Sequence, residues 1–402
     1  MGVTICGISA WQYHRTPPIL RGLELEEEAL LEYVEQRDVT RARLMRRLLR
    51  LRDNAREADR LVCGRLTTDL KGISLPVHVI VDGGASSHSS ALTIPHRGDA
   101  RSLAGSRIPL GNDLFVLTPE AALSDMAGSL GYVRTAMLAF EACGTFAIAP
   151  VGMRLACAQA RLVAQGTLSR DAPFAPVIRG HRDERGLVLP FVDARGRDFP
   201  WNPSFLRSGT ISDLWSRPPL TSVERLRDFA RSVGLGSRNA LVRALPLVRD
   251  GAASPLEVKA NLLLCSGSWN GGESWGDPHL NRRIGLSPGA RALAHTPFCV
   301  ADCLWPESHS VLEVLGEAYH SDEYGFKLAS GRTAALESMG YKVAEIINEQ
   351  MADLSLLDAL LPSLAEKLGF SYAAPTVAFL RRRERLHREL FRGRFEPEVV
   401  NL

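Results

Sequence analysis

Apolar and polar positions follow changing periods along this 402-residue chain. A short strand-like run opens it. A charged stretch from about Glu24 to Arg60 follows, where Leu44, Leu48, Leu49 and Leu51 recur at roughly helical spacing. Pro76-Val77-His78-Val79-Ile80-Val81 and Leu114-Phe115-Val116-Leu117 read as buried strands, separated by a Gly/Ser-rich loop. Thr118-Pro119-Glu120 predicts a helix start, with Thr as N-cap and Pro in the first turn, and residues 120–165 read as helical with breaks at Gly144 and Pro150. Residues 168–220 are rich in Pro, Gly and Arg and predict a linker or irregular insertion; a helical segment spans Thr221–Val248.

The pattern is densest in chemistry after Ser254. Ser254-Pro255-Leu256-Glu257 predicts a capped helix, and Trp269-Asn270-Gly271-Gly272-Glu273-Ser274-Trp275-Gly276-Asp277-Pro278 predicts a loop whose tryptophans either contact a substrate or pack on the core. Phe298–Leu304 and Ser310–Leu315 predict two strands joined by a turn at Trp305-Pro306-Glu307-Ser308. Gly331–Met339 predicts a helix closed by Gly340, and Tyr341–Ile347 a third strand ending near Asn348 and Gln350.

Composition narrows the class. Hydrophobic residues make up 45% and charged residues 23%, the balance of an ordinary globular protein of two or three domains. No window approaches the ~20 apolar residues that span a bilayer. The start, Met1-Gly2-Val3-Thr4-Ile5-Cys6, lacks a basic segment followed by an apolar run, and seven scattered cysteines form no CxxC or Cys/His cluster. Both point to a cytoplasmic setting with free thiols and away from zinc. Only five of the 48 basic residues are lysines, so 43 are arginines. Residues 1–250 carry 33 basic against 26 acidic residues, and residues 251–402 carry 15 against 19. Any basic surface for nucleic acid is therefore expected in the first part, where Arg46, Arg47 and Arg50 sit on the charged helical run, either as a solvated face or against phosphates.

Asp302 and Glu313 fall inside the two apolar strands of the predicted hairpin. An acid in such a strand is costly unless paired or bound to a metal. Two acids brought together repel unless a cation lies between them, and hard oxygen donors suit Mg²⁺ or Mn²⁺. The plainer alternative is two edge acids facing water. His320 follows, a group able to exchange a proton near neutral pH.

The ordered set of Glu257, Asp302 in Ala301-Asp302-Cys303-Leu304-Trp305-Pro306, Glu313 in Leu312-Glu313-Val314-Leu315-Gly316, His320, Arg332, Gly340-Tyr341-Lys342-Val343 and Gln350 resembles the restriction-endonuclease-like PD-(D/E)XK nucleases, in the branch related to very-short-patch repair endonucleases. The resemblance covers about 250–365. It implies an α/β (α+β) protein whose C-terminal part is a mixed sheet flanked by helices, and a Mg²⁺- or Mn²⁺-dependent hydrolysis of DNA phosphodiesters in bacterial defence or repair. It implies Asp302 and Glu313 as metal ligands with the Val314 carbonyl, Glu257 near metal-bound water, His320 as base or acid, and Arg332 and Lys327 toward phosphate. Leu315 stands where this family carries a Lys or Asp. The base then falls to His320, Lys327 or Gln350, or the fold does not cut.

The N-terminal half is similar to AbiEi-like antitoxin regulators, carried by Cys6-Gly7-Ile8-Ser9-Ala10, Val77–Ile80, His96, Val116–Ala127 and Phe140–Ala147. That implies a winged-helix-like start, an α/β core, DNA as a partner, and a second protein of a toxin–antitoxin or phage-defence operon. The expected division is 1–70 helical, 71–167 α/β, 168–220 linker, 221–370 helical lead-in plus nuclease-like domain, and 371–402 a basic tail.

Overall fold

A computed structural model describes residues 2–50, 56–82, 88–96, 105–150, 152–168, 201–206, 208–316 and 323–391, with the backbone alone for 323–329. It is a mixed α/β structure of three sheets and fifteen α-helices among those residues. The expected α+β class is present at that level.

The first sheet begins with β1 (Val3–Ile5). Helices α1 (Gly7–Arg15), α2 (Pro18–Gly22), α3 (Glu27–Glu35), α4 (Val39–Arg50) and α5 (Glu57–Cys63) follow, then β2 (Val77–Val81), β3 (Thr93–His96), β4 (Arg107–Gly111) and β5 (Leu114–Leu117). The order is β3-β2-β1-β5-β4, so β1 is the central strand. Residue 70 is therefore no boundary: residues 1–70 and 71–167 share one sheet. The only strand among the described residues up to 70 sits in that sheet's middle, which leaves no β-hairpin wing there. The charged run expected to be helical forms three helices: a turn at residues 36–38 separates α3 from α4, and α5 starts anew at Glu57. Leu48, Val62 and Leu70 face the core beneath.

Helix α6 (Pro119–Cys143) starts as its sequence predicts, with Thr118 Oγ1 accepting from the Ala121 N–H. It bends at Gly131, which takes φ +72°, a conformation open to glycine. Its first residues, Ala121 and Ala122, pack under the first sheet. From Leu123 onward it belongs to the largest core cluster, shared with the C-terminal elements. Then come β6 (Phe146–Ile148), α7 (Met153–Ala164), β7 (Asn202–Phe205) and β8 (Ile211–Ser216). These strands pair in the order β6-β8-β7. The expected linker thus holds two strands of a sheet, built around the buried Trp215, while residues 169–200 lie outside the described residues.

Helices α8 (Val223–Ser232) and α9 (Ala240–Ala244) lead into α10 (Pro255–Cys265), β9 (His279–Gly285), α11 (Pro288–Ala294), β10 (Phe298–Trp305), β11 (Ser310–Leu315), α12 (Glu323–Ser338), β12 (Lys342–Ile347), α13 (Asn348–Ala352), α14 (Leu354–Leu368) and α15 (Val377–Phe391). The third sheet has order β12-β11-β10-β9, with β9, β10 and β11 antiparallel and β12 parallel to β11. Leu312, Val314, Ala344 and Ile346 bury one face in the large cluster with α10 and α14. Val311 and Val343 bury the other with α11 and α12. The basic C-terminal segment is not a tail as far as Phe391: Leu386 and Leu390 of α15 enter the core, and Arg383 is buried between Glu273 and Asp358.

Candidate active site

The acids singled out by sequence meet where β10 and β11 part. Their ladder holds at Trp305–Ser310, Leu304–Val311 and Cys303–Leu312, and stops there. In place of the next backbone bond, the Val314 N–H donates to Asp302 Oδ2 at 2.7 Å. Val314, expected to lend a carbonyl, lends its amide to orient Asp302. Glu313 follows Leu312 on β11, is 8% exposed, and is opposite Glu345 in the parallel register with β12. Glu257, 6% exposed, stands in the first turn of α10.

Glu257 is held from two sides. Its Oε2 accepts from the Ala253 N–H at 2.8 Å and from Asn281 Nδ2 at 2.6 Å. Ser254 caps the helix as expected by accepting from the Glu257 N–H at 3.2 Å, while the Glu257 carboxylate takes the Ala253 N–H. Asn281 sits at φ +48° on β9 and also donates to the Gly251 carbonyl at 3.0 Å. Sequence reasoning missed it; its signal would have been a polar residue of a type tolerant of positive φ within a half-buried strand.

The electrostatics are those of negative charge crowded out of water. Burial pushes Glu257 up to about 8, with Asp302 adding to the effect. Glu313 is pushed up to about 8 by burial and then by Asp302, against the pull of Arg332. Asp302 reaches about 6 through burial, moderated by the Val314 N–H and Arg332. Arg332 donates to Glu313 Oε2 at 3.1 Å and to the Val300 carbonyl at 3.0 Å. Expected to face phosphate, it serves as a cation to the carboxylates. Glu313 Oε1 is buried and has no hydrogen-bond partner among the described residues.

The remaining expected residues divide. The Gln350 side-chain carbonyl accepts from the Ile347 N–H at 3.0 Å and caps α13, so that oxygen is committed to structure. Leu315 is half-buried at the end of β11. Lys327 belongs to α12, whose side chains are described only from residue 330, and His320 lies outside the described residues. Far from these in sequence, Arg46 is paired with Glu35, with Nη1 to Oε1 at 3.2 Å, while Arg47 and Arg50 are exposed on α4.

Asp302 and Glu313 are the two strand acids that could hold a metal. Both offer hard oxygens, both are pushed up chiefly by burial, and Glu313 Oε1 has no hydrogen-bond partner among the described residues. Among the described residues no three His, Cys, Asp or Glu side chains stand close enough to enclose an ion as they lie. No protein-family profile, curated protein or solved structure matches the chain.

Proposed function

We propose that the chain is a metal-dependent endonuclease that hydrolyses DNA phosphodiester bonds, with Asp302 and Glu313 holding Mg²⁺ or Mn²⁺. The observation that carries this is the buried Glu313 Oε1, without a hydrogen-bond partner among the described residues, beside a second buried acid. A polar atom left so is costly unless a partner completes it. A bound cation supplies charge stabilisation at the scissile phosphate and a more acidic water. The chain's own residues do the rest. The Val314 amide fixes Asp302. Arg332 fixes the second oxygen of Glu313. Glu257, locked by Asn281 and raised to about 8, can hold a proton near neutral pH and exchange it with a water. The order α10, β9, α11, β10, β11, α12, β12, with acids on α10 and on the adjacent strands β10 and β11, supports the restriction-endonuclease-like reading.

A second reading is a DNA-binding regulator, of the AbiEi-like kind, whose nuclease-like fold does not cut. Leu315 favours it by leaving the usual base position apolar, and so does Arg332 by sitting where a cation would neutralise Glu313. Plasmid and single-stranded DNA incubated with Mg²⁺ or Mn²⁺ separate the two. The endonuclease reading expects cleavage by the native chain and none by Asp302→Ala. Absence of metal-dependent cleavage on every substrate, with DNA binding retained, selects the regulator.

A further inference from the structure

The chain has six tryptophans, and five are buried: Trp11, Trp201, Trp215, Trp275 and Trp305 are each no more than 7% exposed. Trp269 is 57% exposed. It lies in the loop that follows α10, and that loop is braced. Trp275 anchors it by stacking on Phe370 at 5.0 Å, and Ser268 N–H donates to Ser274 Oγ at 2.9 Å. Arg382 Nε of α15 donates to the Ser268 carbonyl at 2.9 Å. The indole is thus presented on a fixed support.

Its neighbours are aromatic and basic. Trp269 stacks on Tyr132, the residue after the Gly131 bend, with ring centroids 6.0 Å apart and planes at 29°. Tyr132 is held by its hydroxyl, which donates to the Asn270 side chain. The exposed Arg243 of α9 lies over the Tyr132 ring at 4.1 Å. Arg385 of α15, also exposed, acts on Tyr132 electrostatically. One acid faces this group, the half-buried Glu389, itself under the influence of Arg134 and Arg385. Three elements distant in sequence therefore converge on Tyr132, the ring on which the exposed indole stacks, with Arg243 and Arg385 beside that ring and Arg382 bound to the residue before Trp269.

We propose that this patch is a stacking platform for single-stranded nucleic acid, with an unpaired base on Trp269 and neighbouring phosphates on Arg243, Arg382 and Arg385. A base offers a π-face to an open indole, and the strand's phosphates match the guanidinium groups beside it; a duplex keeps its bases stacked inside and offers only the phosphates. The platform is independent of the carboxylate site, since it needs neither a metal nor cleavage.

The test is a titration of the full chain with dT₁₂, rU₁₂ and a duplex of equal length, in EDTA, followed by tryptophan fluorescence and anisotropy. The single strands are expected to quench the one exposed tryptophan and to shield it from acrylamide, while the duplex does neither. Trp269→Ala is expected to weaken single-strand binding about tenfold or more, and Trp269→Phe to restore part of it. Arg243→Gln with Arg385→Gln is expected to lower the slope of log affinity against log salt by about one to one and a half. Unchanged affinity in a folded Trp269→Ala chain overturns the proposal, and so does equal quenching by the duplex. Self-association that depends on Trp269, with no oligonucleotide bound, also overturns it and makes the patch a protein interface. If Trp269→Ala does not fold, acrylamide shielding in the native chain decides.

Discussion

The side-chain amide of Asn281 donates to Glu257 Oε2 at 2.6 Å, so a residue of the outermost strand fixes the acid of a helix 24 positions earlier. Loss of that bond leaves a buried carboxylate short of a partner. Asn281→Gly keeps the positive φ and removes the amide, and is expected to cost about 1–3 kcal/mol in urea denaturation. Asn281→Ala is expected to cost more, because alanine resists that φ. Equal stability of the glycine variant and the native chain would show that the bond does not restrain Glu257.

Burial pushes Glu257 and Glu313 up to about 8 and Asp302 up to about 6 in the folded chain. These lie above the ordinary carboxylate values near 4. The folded state therefore holds protons that the unfolded chain has released, so this group's contribution to stability falls as pH rises from about 4.5 to about 8. In metal-free buffer the loss of stability between pH 5.5 and pH 8 is expected to be smaller in Glu313→Gln than in the native chain. Millimolar Mg²⁺ is expected to raise the native midpoint more at pH 8 than at pH 5.5. A Mg²⁺ effect that ignores pH argues against a cation among these carboxylates.

Arg383 is 2% exposed and joins α15 to Glu273 of the tryptophan loop and Asp358 of α14. Replacing it with Met strands the Glu273 carboxylate, which burial already pushes upward. The expected cost is about 3–5 kcal/mol. Limited proteolysis should then cut first in α15. A variant as stable and as resistant as the native chain would place α15 on the surface.

In the first sheet, His78 Nδ1 and His96 Nε2 are 2.8 Å apart with stacked rings. One must donate and the other accept, so the pair carries at most one extra proton without breaking the bond. Burial and then His96 lower His78, while Asp125 acts in the opposite direction. At His78 the folded state thus binds fewer protons than the unfolded chain, and that ring's contribution to stability grows as pH rises toward about 6.5. In His96→Ala, nuclear magnetic resonance should show His78 titrating at higher pH than in the native chain. No change would mean the two rings do not share a proton.

The candidate site was legible where chemistry and hydrophobicity disagreed. Asp302 and Glu313 stood out as acids in apolar strands, and a short hairpin could only bring them near. Gly340 marked the helix end that returns the chain to β12. Asn281 was hidden because β9, with Arg282 and Arg283 exposed, lacks the apolar alternation of a strand. The first sheet was hidden by distance: β1 pairs with β2 and β5, over seventy and over a hundred residues away. Arg383 was hidden by type, since a basic run reads as solvated until Glu273 and Asp358 are seen around it.

Helix α6 serves two neighbours along its length, the first sheet through Ala121 and Ala122 at its start and the C-terminal elements from Leu123 to Cys143. The strand after it, β6, pairs with β8 on the far side of residues 169–200. A chain severed within 169–200 would therefore not yield two self-sufficient halves. The first fragment would carry a wall that belongs to the second, and the second would lack one side of its interior. Produced together, the fragments should find each other as a one-to-one complex; produced singly, each should aggregate. The protein is a candidate for genetic splitting and conditional reassembly at that point.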